Sequence, residues 1–290
     1  MIKKNNIVIQ GHPGSFHDEA AQKWFKSDLN LIPADSFEEL GEILLNKKAD
    51  YAVMAIENSI AGTILQNYRI LRENGFWILG ETYLRIEMNL MACPGIKISD
   101  LKRVESHPMA LNQVLDFMRN YPDITRVNSK DTALSAARIA RKESRKKGVI
   151  ASKHAASLYG LDILASNIET HKNNYTRFFI IGNEKEVYDT RAVNKVSAFI
   201  KIPDKKGQLL KVLQKIEDHH LNLSKLQSFP VLGSFREYFF HMDIEFDHID
   251  QYFNLKDDIL QVTSVFQELG IYARADLAEV LHQGTDKIQS

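Results

Sequence analysis

The first 182 residues alternate short apolar runs with amphipathic stretches. The apolar runs have the length and β-branched composition of strands, and the amphipathic stretches repeat apolar residues at helical spacing. In the first half, the predicted strands are 7–10, 31–34 and 51–56, and the predicted helices are 18–25, 36–45 and 63–71. Further on, the predicted strands are 103–105, 125–127 and 149–151, and the predicted helices are 108–119, 132–141 and 153–159.

This alternation predicts an α/β domain over residues 1–182, with a cleft between two lobes. Lobe one takes in about 1–80 and 165–182, and lobe two about 86–160. A polar stretch at 183–194 is expected to be a linker.

A different pattern follows over residues 195–280, the predicted second domain. Its predicted elements are a strand at 196–202, a helix at 208–219, strands at 222–228 and 237–246, a helix at 249–269 and a strand at 271–277. This is the βαββαβ order of ferredoxin-like domains.

The composition is that of a folded protein without a nucleic-acid or membrane partner. Hydrophobic residues make up 44% of the 290 residues and charged residues 26%, which is enough apolar surface to offset the entropy of the chain. Thirty-seven basic residues balance thirty-seven acidic ones, so the charge expected of a nucleic-acid or anionic-membrane binder is missing. A small-molecule or protein partner is favoured.

The sequence also points to a cytoplasmic location. Cys93 is the single cysteine, so no intramolecular disulfide can form, and a reducing compartment fits. The N-terminal residues lead directly into a short strand pattern instead of a long apolar leader, and no apolar run reaches 18 residues. We expect a protein that is neither exported nor membrane-spanning.

The motifs of nucleotide, zinc and serine-hydrolase sites are missing from the sequence. It contains no GxGxxG after a strand, no GxxxxGK[ST], no HExxH, no CxxC and no GxSxG. The ten histidines are scattered, and the neighbouring His219 and His220 point in different directions at a helix end. We therefore expect no cofactor and no metal site.

Hydroxyl and amide residues recur where a predicted strand gives way to a helix. Each could simply cap its helix. Several at the same ends of successive strands would instead border a cleft, where helix N-termini offer free N–H groups to an anion. The expected ligand is a small carboxylate. The residues concerned are Ser15, Asn58, Ser59, Thr63, Ser106 and Thr132.

Several segments together resemble the prephenate dehydratase family. They are Ile-Glu-Asn-Ser-Ile-Ala-Gly-Thr at 56–63, Glu-Ser-His-Pro-Met-Ala-Leu-Asn-Gln at 105–113, Asn-Asn-Tyr-Thr-Arg-Phe-Phe-Ile-Ile-Gly at 173–182, the helix 151–160 and Asn-Ile-Glu at 167–169. The resemblance extends over nearly the whole chain, including the second domain. It implies decarboxylative dehydration of prephenate to phenylpyruvate, without a cofactor, in a catalytic domain with the two-lobed fold of type II periplasmic binding proteins.

The resemblance also implies which residues form the site. Thr176, before Arg-Phe, matches the family's essential threonine, and we expect it to donate to the departing hydroxyl. Arg177 should alternate to the opposite side of its strand, where a structural role or a lobe contact is more plausible than chemistry. The substrate-binding candidates are Ser15, Asn58, Ser59, Thr63, Ser106, Gln113, Arg177 and Phe178.

Three positions depart from the family pattern. His17 stands where Ser or Thr is usual, Ala61 where Glu is usual, and Met109 where Gln is usual. These differences leave the Thr176 motif intact but bear on the surroundings of the site.

The resemblance further implies that the second domain is an ACT domain, which binds phenylalanine as a feedback inhibitor between subunits of a homodimer or homotetramer. Gly207 is retained, whereas Gln227 and Phe229 replace a Glu and an Arg of the family segment. The effector-binding candidates are Gly207, Gln208, Leu209, Leu210, Asn222, Gln227, Ser228, Phe229 and Pro230.

Three alternatives remain open on the sequence alone. A catalytically silent binding protein could use the same cleft. An arogenate dehydratase would differ only in accepting an amino group in place of the side-chain ketone. An amino-acid sensor could act on a protein partner through its second domain, which would require an exposed apolar patch.

Overall fold

The computed structural model describes residues 4–26, 29–203, 205–231 and 237–276. Among them, the chain divides into two compact units. The first contains residues up to 64 and 82–178, and the second contains 65–81 and the residues from 179 to 276. Residues 65–81 thus group with the second unit, whereas the sequence assigned 65–80 to lobe one. The domain boundaries given above stay predictions.

The first sheet has the strand order β2-β1-β3-β11-β5, and β4 pairs with β3. Its strands are β1 (Asn5–Gln10), β2 (Leu29–Ala34), β3 (Tyr51–Asn58), β4 (Gly62–Thr63), β5 (Trp77–Arg85) and β11 (Tyr175–Gly182). The interior strand β1 runs parallel to both neighbours, and Ile7, Val8 and Ile9 on it are fully buried. Buried parallel strands account for the apolar runs of the sequence. The strands β5 and β11 continue from the first unit into the second.

Two helices accompany this sheet in the first unit, α1 (Phe16–Phe25) and α2 (Phe37–Leu45). Ser15 caps α1 by accepting a hydrogen bond from the Asp18 N–H, and Ser36 caps α2 in the same way from Glu39. Acidic residues in the first turn of each helix are stabilised by the positive end of its dipole.

The second sheet of the first unit has the order β10-β6-β9-β7-β8. Its strands are β6 (Asn89–Ala92), β7 (Arg103–Ser106), β8 (Thr125–Asn128), β9 (Lys147–Ala151) and β10 (Asp162–Ala165), and its helices are α4 (Pro108–Gln113), α5 (Leu115–Met118), α6 (Thr132–Lys142) and α7 (Lys153–Tyr159). The helices α6 and α7 pack on β6 and β9 through small and apolar side chains such as Ala136 and Ala155. Cys93 lies buried in the same cluster.

The second unit contains an antiparallel sheet with the order β13-β14-β12-β15. Its elements are β12 (Lys195–Lys201), α8 (Gln208–Asp218), β13 (Asn222–Pro230), β14 (Tyr238–Glu245), α9 (Ile249–Val262) and β15 (Val265–Tyr272), together with α3 (Leu65–Asn74). The order along the chain is the expected βαββαβ. Buried residues of α8 and α9 form one core with β12 and β14.

The predicted end of α9 was wrong. The helix was expected to reach residue 269, but it ends at Val262, and Thr263 already has extended backbone angles. Residues 265–272 instead pair antiparallel with β12. Val262, Thr263 and Val265 are β-branched and fit a strand, whereas the sequence offers no glycine or proline to stop the helix before Gly270.

Within the described residues, no helix is both long enough and apolar enough to cross a membrane.

A buried ion pair joins two segments of the second unit that are distant in sequence. The Lys195 ammonium lies 3.0 Å from Oε1 of Glu81 and 3.5 Å from Oε1 of Glu245, and the Lys195 and Glu81 side chains are 5% and 1% exposed. The Ala275 N–H donates to the same Glu81 oxygen. Removing one charge from such a pair leaves the other desolvated without compensation.

We therefore expect Lys195→Met to lower the free energy of unfolding of the second unit by about 3–5 kcal/mol. Trp77 belongs to this unit, so urea unfolding followed by fluorescence in a Trp24→Phe background measures it specifically.

The exposed pair Arg191–Asp189, with side chains 89% and 51% exposed, provides the matched control in the same unit. Arg191→Met should leave the stability almost unchanged. Adding Glu81→Gln to Lys195→Met should restore much of the loss, because no buried charge is then unpaired. A Lys195→Met protein as stable as wild type would show that the pair is not a stabilising feature of the fold.

Candidate active site

A cavity of about 360 Å³ lies in the first unit, between side chains contributed by both of its sheets. Its wall contains polar side chains on a largely apolar surface. The lining residues are Gln10, Ser15, Phe16, His17, Phe37, Ala55, Asn58, Ala61, Ile64, Ile86, Met88, His107, Met109, Ala110, Gln113, Lys130, Asp131, Thr132, Thr176 and Phe178. Cavities of this size, with a few convergent polar groups, are typical of small-molecule sites.

Thr176 lies on β11 and presents its hydroxyl to this cavity. The side chain is only 8% exposed, and Oγ1 accepts a hydrogen bond of 2.9 Å from Nδ2 of Asn58. Because Asn58 occupies a lone pair of Oγ1, the hydroxyl hydrogen is left to donate in another direction. Thr176 is therefore a neutral donor whose side chain is almost fully buried.

Asn58, at the end of β3, is fixed at both ends of its amide. Oδ1 accepts from the N–H groups of Ile60 and Ala61, at 3.0 and 2.9 Å, and so holds the loop that follows the strand. Nδ2 donates to Oδ1 of Asn174 at 2.7 Å as well as to Thr176. These bonds fix which end of the amide is nitrogen, and the nitrogen faces Thr176.

The network continues to the second sheet's side of the cavity through Gln113, the last residue of α4. Nδ2 of Asn174 donates to Oε1 of Gln113 at 3.1 Å, and the Gln113 carbonyl accepts from the Thr170 N–H. Asn174 is fully buried. Linked side-chain hydrogen bonds around a buried amide hold their members in one arrangement.

The loop before α1 is held tightly against α7. Ser152 Oγ donates to the Gly14 carbonyl at 2.8 Å, and the Tyr159 hydroxyl donates to the Pro13 carbonyl at 2.5 Å. Gly14 has φ +88, and a Cβ there would lie 3.2 Å from Cα of Ala155. Glycine is thus required both by the backbone angle and by the close approach of α7. The loop places Ser15 at the cavity.

A buried carboxylate reinforces this junction. Oδ2 of Asp18 accepts from the Gly14 N–H at 2.7 Å and lies 2.9 Å from Nε2 of His154. Burial alone would raise the pKa of Asp18, but the hydrogen bonds from His154 and Gly14 bring this pKa below its ordinary value. The same contact with Asp18 raises the pKa of His154. The pair favours its charged form and connects α1 to α7.

Two titratable groups in the wall have pKa values shifted by burial. Desolvation lowers the pKa of His17 to about 3, so its imidazole is neutral near pH 7. Desolvation also raises the pKa of Asp131, whose Oδ1 caps α6 by accepting from the Leu134 N–H at 2.6 Å.

The arrangement suits an anion that needs neutral hydrogen-bond donors. The helices α1 and α6 begin at the cavity wall, at Phe16 and Thr132, and their N-termini carry positive partial charge. Lys130 adds a full charge. The Asp131 carboxyl caps α6 in the same wall and offsets part of this attraction, which leaves the α1 N-terminus and Lys130 as the main attraction for carboxylates beside the Thr176 hydroxyl as a positioned donor.

The structure brings five of the substrate-site candidates to one cavity, Ser15, Asn58, Gln113, Thr176 and Phe178, together with Thr132, the helix-start residue also expected at the cleft. It does not bring the other four candidates to the wall. Ser59 is exposed, and its hydroxyl bonds to the backbone at the start of β11. It donates to the Asn173 carbonyl at 2.9 Å and accepts from the Tyr175 N–H. Thr63 pairs with Glu57 across the β3–β4 hairpin.

Ser106 and Arg177 are buried away from the wall. Ser106 is fully buried and donates to the Ile150 carbonyl at 2.6 Å. Arg177 is 4% exposed and lies between Thr176 and Phe178 on the strand, on the side expected from alternation. Contact of these four residues with a ligand stays a prediction.

The predicted effector residues fall in two segments of the second unit. Gly207 precedes α8 with φ +80, and Gln208, Leu209 and Leu210 form its first turn, with Leu210 67% exposed. The others, Asn222, Gln227, Ser228, Phe229 and Pro230, lie on the edge strand β13. Phe229 is buried against Tyr68 and Phe199, with ring centroids 5.6 and 5.7 Å away.

Sequence reasoning missed several residues of the wall and Asn174, which lies beside it. Asn174 belongs to the Asn-Asn-Tyr-Thr-Arg-Phe segment but was not singled out, although an amide two residues before Thr176 shares its side of the chain. His17 was noted only as a departure from the family. For Asp131 and Lys130, the sequence pattern indicated only the start of a helix and not a place in a binding site. Among the described residues, no group of three or more His, Cys, Asp or Glu side chains is placed to hold a metal ion.

Comparison with known proteins adds independent information about this chain. The family model described as prephenate dehydratase matches residues 7–186. A curated relative, "Arogenate dehydratase/prephenate dehydratase 1, chloroplastic" of Arabidopsis thaliana, is 37% identical over 227 residues, which are 78% of this chain and 57% of the relative. The chain spans 65% and 66% of two further curated relatives, so it matches only part of each.

Two solved structures share the fold over almost their whole length. One, described as "GqqA, a novel type of quorum quenching acylases", has a TM-score of 0.84 and 27% identity and covers 94% of this chain and 99% of its own. The other, a prephenate dehydratase from Arthrobacter aurescens in complex with L-Phe, has a TM-score of 0.81 and 24% identity, with 98% and 99% covered. The second similarity shows the fold alone. The family match extends over more than half of the chain, and the chain belongs to the prephenate dehydratase family.

Proposed function

We propose that this protein converts prephenate to phenylpyruvate by coupled loss of carbon dioxide and of the ring hydroxyl group, and so acts as a lyase in phenylalanine biosynthesis. The observation that carries the proposal is the nearly buried Thr176 hydroxyl, oriented at the cavity by the Asn58 amide. The family match supports it. In this proposal the first unit is the two-lobed type II periplasmic-binding-protein-like domain, the protein is cytoplasmic, and the reaction requires neither a metal ion nor a cofactor.

The reaction makes modest demands on the protein. The bond between ring carbon C1 and its carboxylate breaks, and its electron pair moves into the ring as the C4–oxygen bond breaks. Carbon dioxide and hydroxide leave, and the hydroxide is released as water after taking up a proton. Aromatisation drives the step. The protein has to hold the dianion in the correct geometry and stabilise the departing oxygen.

In this proposal, Thr176 stabilises the departing oxygen. Negative charge builds up on the C4 oxygen as the bond breaks, so a hydrogen bond to it is stronger in the transition state than in the ground state. Asn58 donates to Oγ1 of Thr176, which directs the hydroxyl hydrogen away from Asn58. The donor is thus oriented before the substrate arrives.

The two acidic groups of the substrate require electropositive surroundings. The N-termini of α1 and α6 and the side chain of Lys130 offer them at the cavity wall. Ser15 and Gln113 add neutral hydrogen-bonding groups. Arogenate remains the alternative substrate, since relatives carry its name and it differs only by an amino group in place of the ketone.

We also propose that the second unit is an ACT domain that binds phenylalanine and lowers activity in a homodimer or homotetramer. The βαββαβ order and the open edge strand β13 support this proposal, and the solved relative from Arthrobacter aurescens contains L-Phe. The chain passes between the two units at residues 64–65, 81–82 and 178–179, and Ile64 and Phe178 are wall residues. In this proposal, the effect of bound phenylalanine is transmitted to the cavity through these three covalent connections.

Replacing Thr176 tests the catalytic proposal. We expect Thr176→Val to lower kcat for prephenate by about 10²-fold or more, because the isosteric side chain fills the space but cannot donate to the leaving oxygen. KM should change little. The assay follows phenylpyruvate formation by purified protein that has been dialysed against a chelator.

Thr176→Ser is the matched control, since it retains the hydroxyl and should keep kcat within about 10-fold of wild type. Folding of each variant is checked by thermal unfolding. Wild-type activity in a folded Thr176→Val protein would remove Thr176 from the mechanism, and loss of wild-type activity on chelation, restored by a divalent ion, would contradict the metal-free proposal.

Phenylalanine inhibition is tested at Gly207. We expect L-phenylalanine to bind wild type and to weaken substrate affinity by roughly 5- to 150-fold, the usual range of allosteric coupling. Gly207→Val should lose binding and inhibition while the uninhibited turnover remains, because a β-branched residue is strained at φ +80 and distorts the start of α8.

Gly95→Val is the control, because Gly95 has φ +79, equally open space around its Cβ and a place in the first unit. It should remain inhibited like wild type. Calorimetry measures binding and steady-state kinetics measures inhibition. A wild type that neither binds nor responds to millimolar phenylalanine would show that the second unit has another role.

A further inference from the structure

The second residue of α1, His17, has an unusual environment for a histidine in a cavity wall. Its ring lies edge-on to Phe178, with centroids 5.1 Å apart, and tilted against Phe37 at 5.7 Å. The residue is 9% exposed and lines the cavity together with Ser15 and Thr176. Two aromatic neighbours therefore hold the imidazole in one orientation within the site.

The hydrogen bonding of His17 fixes its tautomer. Nε2 accepts a hydrogen bond of 3.3 Å from the Ala55 N–H, so this nitrogen carries the lone pair. In a neutral imidazole the hydrogen then resides on Nδ1. Desolvation lowers the pKa of His17 to about 3, which keeps the ring neutral.

Nδ1 of His17 has no hydrogen-bond acceptor among the residues that the structure describes. It is also not among the buried polar atoms that are fully shielded from solvent. The accessible space next to it is the cavity. An N–H that faces this space without a protein acceptor is available to donate to a ligand oxygen. The cavity thus contains a second oriented neutral donor besides Thr176.

The two donors lie at different positions along β11. Thr176 and Phe178 are two residues apart on this strand, about 7 Å, and the His17 ring packs against Phe178. In prephenate the departing hydroxyl is on C4, and both acidic substituents are across the ring on C1. A substrate whose hydroxyl lies at Thr176 and whose ring runs along the strand toward Phe178 would have its C1 substituents at His17.

We propose that His17 is a positioning residue, whose Nδ1–H donates to an oxygen of the substituents on C1 of the substrate. The proposal rests on the proposed function. The oxygen belongs to the ring carboxylate or to the side-chain keto acid, and both are hydrogen-bond acceptors. With Nε2 already accepting from Ala55, His17 cannot accept a hydrogen bond from an ammonium group such as that of arogenate.

Two substitutions separate the two nitrogens of the ring. A glutamine amide reaches as far as Nε2, so His17→Gln can still accept from Ala55 but cannot donate where Nδ1 lies. An asparagine amide reaches only as far as Nδ1, so His17→Asn retains the donor at the cavity and loses the acceptor for Ala55. We expect His17→Gln to raise KM for prephenate by about 10-fold or more with kcat changed less than about 3-fold.

We expect His17→Asn to keep KM within about 3-fold of wild type while lowering the thermal unfolding temperature, because only the bond to Ala55 is lost. A purely structural role for His17 would give the reverse order, with His17→Asn the more impaired in KM. Equal KM values for both variants and wild type would also overturn the proposal.

Repeating the measurement with arogenate identifies the acceptor oxygen. A rise in KM caused by His17→Gln for both substrates assigns the bond to a carboxylate that they share, and a rise for prephenate alone assigns it to the keto oxygen. Wild-type turnover is measured first. If wild type does not convert either substrate, the proposed function fails, whereas active wild type with unchanged variants removes His17 alone.

Discussion

The side-chain amide of Asn58 makes the contacts on which the geometry of the cavity depends. Its oxygen holds the loop after β3 through the Ile60 and Ala61 N–H groups, and its nitrogen donates to Asn174 and Thr176. If the amide were reversed, its NH2 group would face the Ile60 and Ala61 N–H donors, and its oxygen would face the acceptor oxygen of Asn174. This single orientation leaves the Thr176 hydroxyl hydrogen as the group that can reach the cavity.

Burial gives the site its second constraint, because it keeps the donors neutral. His17 stays uncharged because burial lowers its pKa to about 3, and Thr176 is a neutral donor by nature. Neutral donors stabilise charge that develops on a leaving oxygen without requiring a proton to be transferred first. Attraction for the anionic substrate comes from the helix N-termini and Lys130, around the same wall.

The sequence predicted the α/β alternation, the βαββαβ order of the second unit and six of the residues that meet in the cavity. These features rest on local periodicity and on motifs that lie within a few residues of one another. What it missed depends on contacts between distant segments. The end of α9 was misplaced because residues 265–272 pair with β12, and Asn174 became recognisable only when Gln113 and Asn58 were seen on either side of it.

Ser106 and His17 illustrate the same limit at the level of single side chains. The resemblance placed Ser106 against the substrate, but in this structure its hydroxyl donates to the Ile150 carbonyl, a partner 44 residues further along the chain. His17 was only a departure from a pattern until Ala55, 38 residues away, fixed its tautomer. Which way a polar group points is decided by its tertiary partners, and a single sequence does not record them.

The central claim, that Asn58 acts by orienting the Thr176 hydroxyl, is tested most directly by a double-mutant cycle in kcat for prephenate. Asn58→Asp retains the oxygen that holds Ile60 and Ala61 but replaces the donor to Thr176 and Asn174 by a charged acceptor, which would draw the Thr176 hydroxyl hydrogen away from the cavity. The lost bond to Asn174 and the added charge act in both backgrounds, so we predict that Asn58→Asp lowers kcat at least about 10-fold more in the wild-type background than in a Thr176→Val background. Equal losses in the two backgrounds would contradict the claim, because Asn58 would then act independently of Thr176.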